Sequence, residues 1–358
     1  MALTLLSVMS FFRHSQRVVA MMVGLALVSV AACSTGVEET VVDNPTLATT
    51  FEPKPVINLA VNDWTASALN VAIVELIIEQ EMGFPVVPVR ADDSTEMYQD
   101  LADGVLDAVL EVWPSNLSER DNVFFARNDV VDIGPLGPVG QVGWYVPSYM
   151  VAQYPELSTW QGFNSPAIAQ LFATESTAPR GRLLGTSPNY GQHDETLIAR
   201  LGLPFTVEFS GNEAATIAAI ERAVSQQEPI LVWWWEPTAP IQQFDLVAVE
   251  LVPVTEECAA LPADEVATPC GYPTDQLFKA TSPLLAEKAP EVDAFLRRVE
   301  LSAADQQTLL ASVEFGGKSI ADAARSWVDT NEARWTQWLG ESEDSSPTPP
   351  LPAPPSGS

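Results

Sequence analysis

Positive charge is scarce in this sequence. Its 358 residues contain 17 lysines and arginines against 47 aspartates and glutamates, a formal net charge of −30. Nucleic-acid binding needs clustered cations that displace counterions from phosphates, so the composition argues against nucleic acid as a partner. Hydrophobic residues still make up 47% of the chain, enough for a large core. The length favours about two domains.

Histidine and cysteine are also scarce, with two and three residues respectively. His193 is the only histidine beyond the N-terminal segment, so no Ser-His-Asp set can be built without it. Neither a His/Cys zinc spacing nor a glycine-rich phosphate loop is present. The sequence therefore predicts a protein that is not an enzyme, with no catalytic residue, no metal and no cofactor.

The N-terminal segment has the pattern of an export signal. Arg13 and Arg17 precede an uncharged apolar run at 18–32, which is short for a transmembrane span. Small residues lead directly into Cys33, as in a bacterial lipobox. We expect 1–32 to be a lipoprotein signal peptide and Cys33 to carry the lipid. The alternative is an ordinary signal cut near Ala32, with Cys33 a bystander.

The export prediction extends to the other cysteines and to the chain ends. Exported proteins meet an oxidising compartment, which favours a disulfide between Cys258 and Cys270 over two reduced thiols. Polar residues at 33–54 are predicted to form a tether. The Pro/Ser-rich stretch at 341–358 cannot form a packed core and is expected to be a disordered tail. The folded part is thus about 55–340.

The first half of that folded part alternates strands with helices. Strands are predicted at 56–61, 85–89 and 106–112, and helices at 66–82 and 94–102. This β-α-β-α-β order favours a parallel sheet with helices on its faces.

The same order recurs further along the chain. The pattern predicts strands at 182–185, 205–209 and 230–234 and helices ending at Leu201 and covering 212–224. Four helices then follow, at 282–288, 290–301, 302–312 and 319–339. Two α/β units followed by a helical segment indicate two lobes, and ligands of open parallel sheets bind beyond the carboxyl ends of the strands.

Tryptophans stand at four of these strand ends. They occur as Asn62-Asp63-Trp64, Trp113-Pro114, Trp144-Tyr145 and Trp233-Trp234-Trp235-Glu236-Pro237. Aromatic faces attract cations, and a quaternary ammonium group has no N–H through which hydrogen bonds could hold it. The alternative is that these rings are core. Strand alternation splits the run 233–235 between two faces, so some of its rings serve packing in either case.

These residues resemble the periplasmic glycine betaine/choline-binding proteins of ABC importers. The most specific part is the run LADGVLDAVLEVWP at 101–114, supported by Asn62-Asp63-Trp64 and by a Trp-Glu-Pro match at 235–237. The resemblance covers about 56–300. It implies an α/β, two-lobe periplasmic-binding-protein fold of type II with a ligand cleft between the lobes. Lobe 1 would comprise 55–141 and 246–340, and lobe 2 would comprise 142–245.

The resemblance also implies the binding residues. In this family four aromatic residues box a trimethylammonium group, and the matching positions are Trp64, Trp113, Trp144 and Trp235. Tyr145 is the alternative to Trp144, because the match can slip by one residue.

A second feature of the family is a turn at a helix start that contacts the ligand. The matching turn at 188–191 adds Asn189 and Tyr190 to the predicted site. Two positions depart from the family pattern. Ala66 stands where choline-type members carry Asp, and Thr238 stands where many members carry His. These departures leave the identity of the ligand open.

The function implied is that of an extracytoplasmic, membrane-anchored lipoprotein. It would capture glycine betaine or a related quaternary ammonium osmolyte and deliver it to an ABC permease with its ATPase. The alternative is a binder or sensor lipoprotein of the same fold for choline, carnitine or another cation, not coupled to transport. We expect a monomer that contacts the membrane through its lipid anchor.

Overall fold

The strands are β1 Ile57–Val61, β2 Val86–Arg90, β3 Ala108–Val112, β4 Val131–Pro147, β5 Gly181–Gly185, β6 Phe205–Phe209, β7 Val232–Glu236, β8 Leu246–Ala248 and β9 Thr274–Thr281. The structure is a computed structural model and describes residues 53–256 and 269–340. Within these residues the strands form one sheet in the order β2-β1-β3-β9-β4-β7-β5-β6, and β8 pairs with β4.

The helices are α1 Thr65–Ile77, α2 Thr95–Ala102, α3 Glu119–Ala126, α4 Ser148–Gln153, α5 Pro166–Leu171, α6 Asp194–Leu201, α7 Glu213–Gln226, α8 Ala239–Gln243, α9 Leu285–Lys288, α10 Pro290–Arg298, α11 Ala303–Glu314, α12 Ile320–Thr330 and α13 Glu332–Leu339. Among the described residues, none of the helices has the length and apolarity needed to cross a membrane. The mixture of sheet and helices agrees with the predicted α/β class.

The first α/β unit forms as the pattern predicts. β1 pairs in parallel with both β2 and β3. α1 continues into a π-helical turn, Ile78–Met82, and the segment ends at Gly83. Gly83 has a φ of 67°, in the left-handed region that glycine adopts without steric cost. The chain therefore turns from helix to β2 directly after 82, the predicted end of the helix at 66–82.

The second unit repeats this parallel pairing, since β5 pairs with β6 and with β7. The helical segment that follows contains one error of prediction. A single helix at 319–339 is wrong, because the segment is divided into α12 and α13 at Asn331. The Asn331 side chain donates to the carbonyl of Trp327 at 2.8 Å. Short polar side chains compete in this way with the backbone bonds of a helix.

Two antiparallel strands join the two parallel units. β4 has 17 residues, of which the first part pairs with β9 and the last part with β7 and β8. β9 also pairs with β3. The sequence pattern did not predict β9, nor the length of β4. These two strands carry the chain between the units and turn two separate sheets into one.

A buried ion pair fixes the motif that is most specific in the sequence. Asp107, at the start of β3, accepts a hydrogen bond from the amide of Asn58 at 2.7 Å. Lys288 donates to the same carboxylate oxygen at 2.6 Å. The carboxylate therefore joins β1 to α9, which comes from the C-terminal part of the chain. This contact explains structurally why an acid stands at this point of an apolar run.

Candidate ligand-binding site

One cavity is lined by residues that follow β1 and β3 and by residues of β4, β7 and the turn before α6. Most of its wall is aromatic. The lining residues are Trp64, Trp113, Asn116, Val142, Tyr190, Trp233 and Trp235. The set contains five aromatic side chains and no lysine or arginine. The geometry thus offers ring faces to a ligand and no cationic side chain with which a carboxylate could pair.

Trp64 and Trp113 are held by one carboxylate. Trp64 stands just before α1, and Trp113 follows β3 directly. The Nε1 atoms of Trp64 and Trp113 donate to the same oxygen, Oε1 of Glu111, at 2.8 and 3.0 Å. The other oxygen of Glu111 accepts from Asn70 at 2.7 Å. The two indoles are therefore fixed relative to each other through β3.

The rings of the run 233–235 pack against one another. Trp233 and Trp235 both line the cavity, with ring centroids 5.6 Å apart. Trp234 is fully buried outside the cavity lining, where its Nε1 donates to the Thr238 hydroxyl at 2.7 Å and its ring stacks on that of Trp235 at a centroid distance of 4.3 Å. Strand alternation predicts that Trp234 faces away from Trp235, and the stacked pair departs from this expectation. Thr238 thus serves the packing of Trp234, and two of the three tryptophans reach the cavity.

Tyr190 reaches the cavity from the turn before α6. Its ring meets Trp64 edge-on at a centroid distance of 5.7 Å and Trp235 edge-on at 5.6 Å. Trp233 lies at 6.1 Å. Edge-to-face contacts of this kind are the favoured geometry of aromatic pairs. Tyr190 therefore links the rings of β7 to the ring that precedes α1.

Hydrogen bonds also cross the cleft beside the cavity. Both the backbone amide and the hydroxyl of Thr65 donate to Oε2 of Glu213, at 2.8 and 2.7 Å. Thr65 begins α1 and Glu213 begins α7. The Tyr190 hydroxyl donates to the carbonyl of Asp63 at 3.4 Å. The two α/β units consequently touch beside the cavity.

Two buried carboxylates stand beside the cavity, and burial disfavours the charged form of both. Burial raises the pKa of Glu111 to about 7, while the indole N–H groups of Trp113 and Trp64 oppose the rise and the charge of Glu213 adds to it. Burial also raises the pKa of Glu213, against the hydrogen bonds from Thr65. A ligand with a positive charge would favour the ionised forms of both groups.

Four predicted site residues, Trp64, Trp113, Tyr190 and Trp235, come together around this cavity. Trp144, Tyr145 and Asn189 are not among its lining residues. Asn189 is exposed, and its amide donates to the Ser187 hydroxyl at 3.2 Å.

Strand register explains where Trp144 lies. Val142 pairs with Trp235 and lines the cavity, whereas Trp144 pairs with Trp233, two residue pairs farther along the two strands. There its Nε1 donates to Asp194 at 2.6 Å. Burial raises the pKa of Asp194 to about 6, and the hydrogen bond from Trp144 opposes that rise. Tyr145 points its hydroxyl to Glu236 at 3.3 Å.

Sequence reasoning missed Trp233, Asn116, Val142 and the supporting carboxylate of Glu111. A signal existed for two of them. Trp233 stands two residues before Trp235 and so shares its face. Glu111 is a lone acid within a strand whose five residues are all buried. Asn116 and Val142 carry no comparable signal, since each depends on how the two units meet.

Three predicted sites concern cysteines. Cys33 and Cys258 lie outside the described residues, as do the predicted signal peptide, most of the tether and the tail. Cys270 takes part in a disulfide. Its predicted pairing with Cys258 stays a prediction.

The mixed sheet with its flanking helices matches the fold of two-lobe periplasmic binding proteins. Residues 55–330 match the family described as the substrate-binding domain of ABC-type glycine betaine transport systems, and the chain belongs to that family. This confirms the resemblance seen in the sequence. The family consists of solute-binding domains, so the chain is not an enzyme.

Known relatives agree with this assignment. A trimethylamine N-oxide-binding protein from Pelagibacter ubique (strain HTCC1062) is 24% identical over 291 residues, which cover 79% of this chain and 90% of that protein.

Solved structures show the same fold. The structure of lactococcal OpuAC in its closed-liganded conformation with glycine betaine is 17% identical and has a TM-score of 0.62. The match covers 80% of this chain and 100% of the OpuAC chain. An ABC-transporter choline-binding protein in complex with choline is 16% identical, with a TM-score of 0.63 and coverage of 80% and 91%.

Proposed function

We propose that this protein captures a small ligand with a trimethylammonium head group in the aromatic cavity and delivers it to an ABC importer. Glycine betaine is the first candidate ligand. The observation that carries the proposal is the enclosure of one cavity by Trp64, Trp113, Tyr190, Trp233 and Trp235. Family membership supports delivery to a permease and its ATPase.

The chemistry of the wall suits such a head group. Each ring face within about 6 Å of a cation contributes roughly 0.5–2 kcal/mol, more where water is excluded. A quaternary nitrogen donates no hydrogen bond, so ring faces are the contacts left to it. Protonated amines with free N–H groups would need acceptors inside the cavity. Among the lining residues only Asn116 and Tyr190 carry a side-chain oxygen.

Trimethylamine N-oxide is a second candidate ligand. The cavity lining contains no lysine or arginine to pair with the carboxylate of glycine betaine. An N-oxide has the same trimethylated nitrogen and a single oxygen acceptor, which needs a hydrogen-bond donor and not a cation. The relative from Pelagibacter ubique is named for binding this compound. Choline and carnitine remain weaker alternatives, as does a sensor role without transport.

Closure of two lobes around the ligand is part of the proposal. Residues 55–141 with 246–340 would form one lobe and 142–245 the other, with β4 and β9 as crossings. The bonds from Thr65 to Glu213 would then hold the closed state. Hinge closure of this kind is the usual response of two-lobe binding proteins. The lipid on Cys33 would keep the protein at the membrane surface as a monomer, near its permease.

Calorimetric titration of the purified protein tests the proposal. We expect saturable binding of glycine betaine or trimethylamine N-oxide, with choline, proline betaine and carnitine as further ligands to rank. Glycine is the matched control, because it has the same carboxylate and no methyl groups on nitrogen. Binding of glycine as tightly as glycine betaine would contradict a trimethylammonium site. A folded protein that binds none of the five methylated ligands would overturn the proposal.

A further inference from the structure

The feature of interest is the carboxylate of Glu111, in the middle of β3. All five residues of the strand are buried, and Glu111 is 3% exposed. Within the described residues no lysine or arginine pairs with it. A buried carboxylate without a counter-ion is costly unless hydrogen bonds satisfy it. An apolar residue of similar size would avoid this cost, so the acid calls for an explanation.

One carboxylate oxygen of Glu111 accepts hydrogen bonds from two rings of the cavity wall, and the other accepts from a residue outside the cavity lining. Oε1 accepts from the indoles of Trp64 and Trp113, both of which line the cavity. Oε2 accepts from Asn70, whose side-chain oxygen accepts in turn from Gln306 at 3.1 Å. Asn70 lies on α1 and Gln306 on α11. Asn70 therefore holds Oε2 of the carboxylate, while Oε1 accepts from the two cavity rings.

This arrangement has two physical effects on the cavity. The shared acceptor limits the rotation of both indoles, since either ring would lose a charge-assisted hydrogen bond by turning. When Glu111 is ionised, its negative charge also lies at the edge of each ring, in a buried position. It therefore adds to the attraction that the ring faces exert on a cation.

We propose that Glu111 is a positioning residue that also sets the preference of the cavity for a ligand with a positively charged quaternary head group over one with a neutral head group of the same shape. This inference rests on the proposed function, because it concerns the same site. Glu111 is not among the residues that line the cavity and acts through Trp64 and Trp113. Without its charge, the rings would still form an apolar box for any group of the right size.

Two variants separate position from charge. Glu111→Gln removes the charge and keeps an oxygen that can accept from both indoles, although its amide nitrogen then replaces the oxygen that accepts from Asn70. Glu111→Ala removes the charge and every acceptor. The ligands are glycine betaine and 3,3-dimethylbutanoate, in which carbon replaces the quaternary nitrogen. Affinities are measured by calorimetry and, for the weaker ligand, by displacement of glycine betaine. Circular dichroism and thermal unfolding check that each variant is folded.

We expect Glu111→Gln to weaken glycine betaine binding by about tenfold or more and to leave the affinity of the anionic carbon analogue unchanged or raised. Glu111→Ala should weaken both. The carbon analogue could fail to displace glycine betaine from both the unmodified protein and the variant. The proposal is then judged on the ratio of the glycine betaine affinities of these two proteins alone. A folded Glu111→Gln variant with wild-type affinity for glycine betaine overturns the proposal, as does an equal loss for both ligands.

Failure of the proposed function gives a different result. In that case the unmodified protein binds neither glycine betaine nor trimethylamine N-oxide, and the role in selectivity falls with it. If trimethylamine N-oxide alone binds, the same variants are compared with it and with tert-butanol, its neutral carbon analogue. We then expect Glu111→Gln to weaken trimethylamine N-oxide binding by about tenfold or more and to leave tert-butanol binding little changed. Equal losses of affinity for these two ligands would again overturn the proposal.

Discussion

Gly140, on β4, lies directly against the indole of Trp113. A Cβ atom at residue 140 would stand 2.6 Å from Cη2 and 2.9 Å from Cε3 of that ring. The ring cannot easily move aside, because its Nε1 donates to Glu111 on the other edge. Gly140 therefore makes room for a cavity wall, and its own φ lies outside the left-handed region.

Gly140→Ala should push Trp113 towards the cavity and weaken ligand binding by about tenfold or more, which corresponds to roughly 1.4 kcal/mol. Calorimetry with glycine betaine, or with whichever ligand binds, measures the loss. The control is Gly143→Ala on the same strand, where the new Cβ would meet Tyr145 at an ordinary 3.7 Å. Equal losses for the two variants would show that the effect comes from β4 and not from Trp113.

Truncation of the cavity rings gives the most direct test of the aromatic wall. Trp113→Ala or Trp235→Ala should each weaken binding by roughly 1–3 kcal/mol, from lost cation–π contact and lost apolar area. The fold should persist, as thermal unfolding would show. Trp160→Ala is the control, since this half-buried tryptophan lies outside the cavity lining. If both cavity variants fail to fold, the rings serve the core and not a ligand.

A second glycine marks the contact between the two units. A Cβ at Gly191 would stand 2.7 Å from Cγ of Asn116 and would overlap its side-chain oxygen. Gly191→Ala should therefore hinder closure and weaken binding, while leaving each unit folded. Solution scattering with and without ligand measures closure through the radius of gyration.

The same contact allows a double-variant test. In an Asn116→Ala background the obstructing oxygen is gone, so Gly191→Ala should cost less there than in the unmodified protein. Equal costs in both backgrounds would mean that the two residues do not meet during closure. Because Asn116 also lines the cavity, the comparison is made between the two costs and not between the absolute affinities.

The local elements of this fold could be predicted from the sequence, because they depend on neighbours along the chain. Apolar periodicity predicted β1, β3 and β6. Gly83 and Gly202 marked helix ends, and both adopt the left-handed conformation. The helix predicted from 302 is present as α11, and Ser302 and Asp305 form a capping box at its start. Each signal is contained within about ten residues.

The features that could not be predicted from the sequence depend on strand register and on contacts between residues that are distant along the chain. The tryptophan at the end of the entry strand was expected at the cavity, yet the β4–β7 register places Val142 there and Trp144 two pairs farther on. The antiparallel strand β9 pairs with β3 and β4, which lie far from it along the chain. No local sequence pattern predicts these partners. The contact of Glu213 with Thr65 spans 148 positions and follows from the same arrangement.

Glu314, at the end of α11, makes stability depend on pH. Both of its carboxylate oxygens are buried and accept no hydrogen bond from the described residues. Burial raises its pKa to about 8 from a usual 4.5, and the charge of Glu213 adds to the rise. Between these two values the folded protein keeps a proton that the unfolded chain releases. The contribution of Glu314 to stability is therefore full below about pH 4.5 and is lost as the pH rises to about 8.

We expect the free energy of unfolding to fall more between about pH 5 and about pH 8 in the unmodified protein than in Glu314→Gln, whose side chain cannot ionise. Urea unfolding at the two pH values measures the difference. Glu221→Gln, at an exposed position of α7, is the control and should follow the unmodified protein. Parallel curves for Glu314→Gln and the unmodified protein would mean that Glu314 is ionised at both pH values in the folded state. In that case an unrecognised cation or water would have to satisfy its buried oxygens, because an ionised carboxylate without partners would not remain buried.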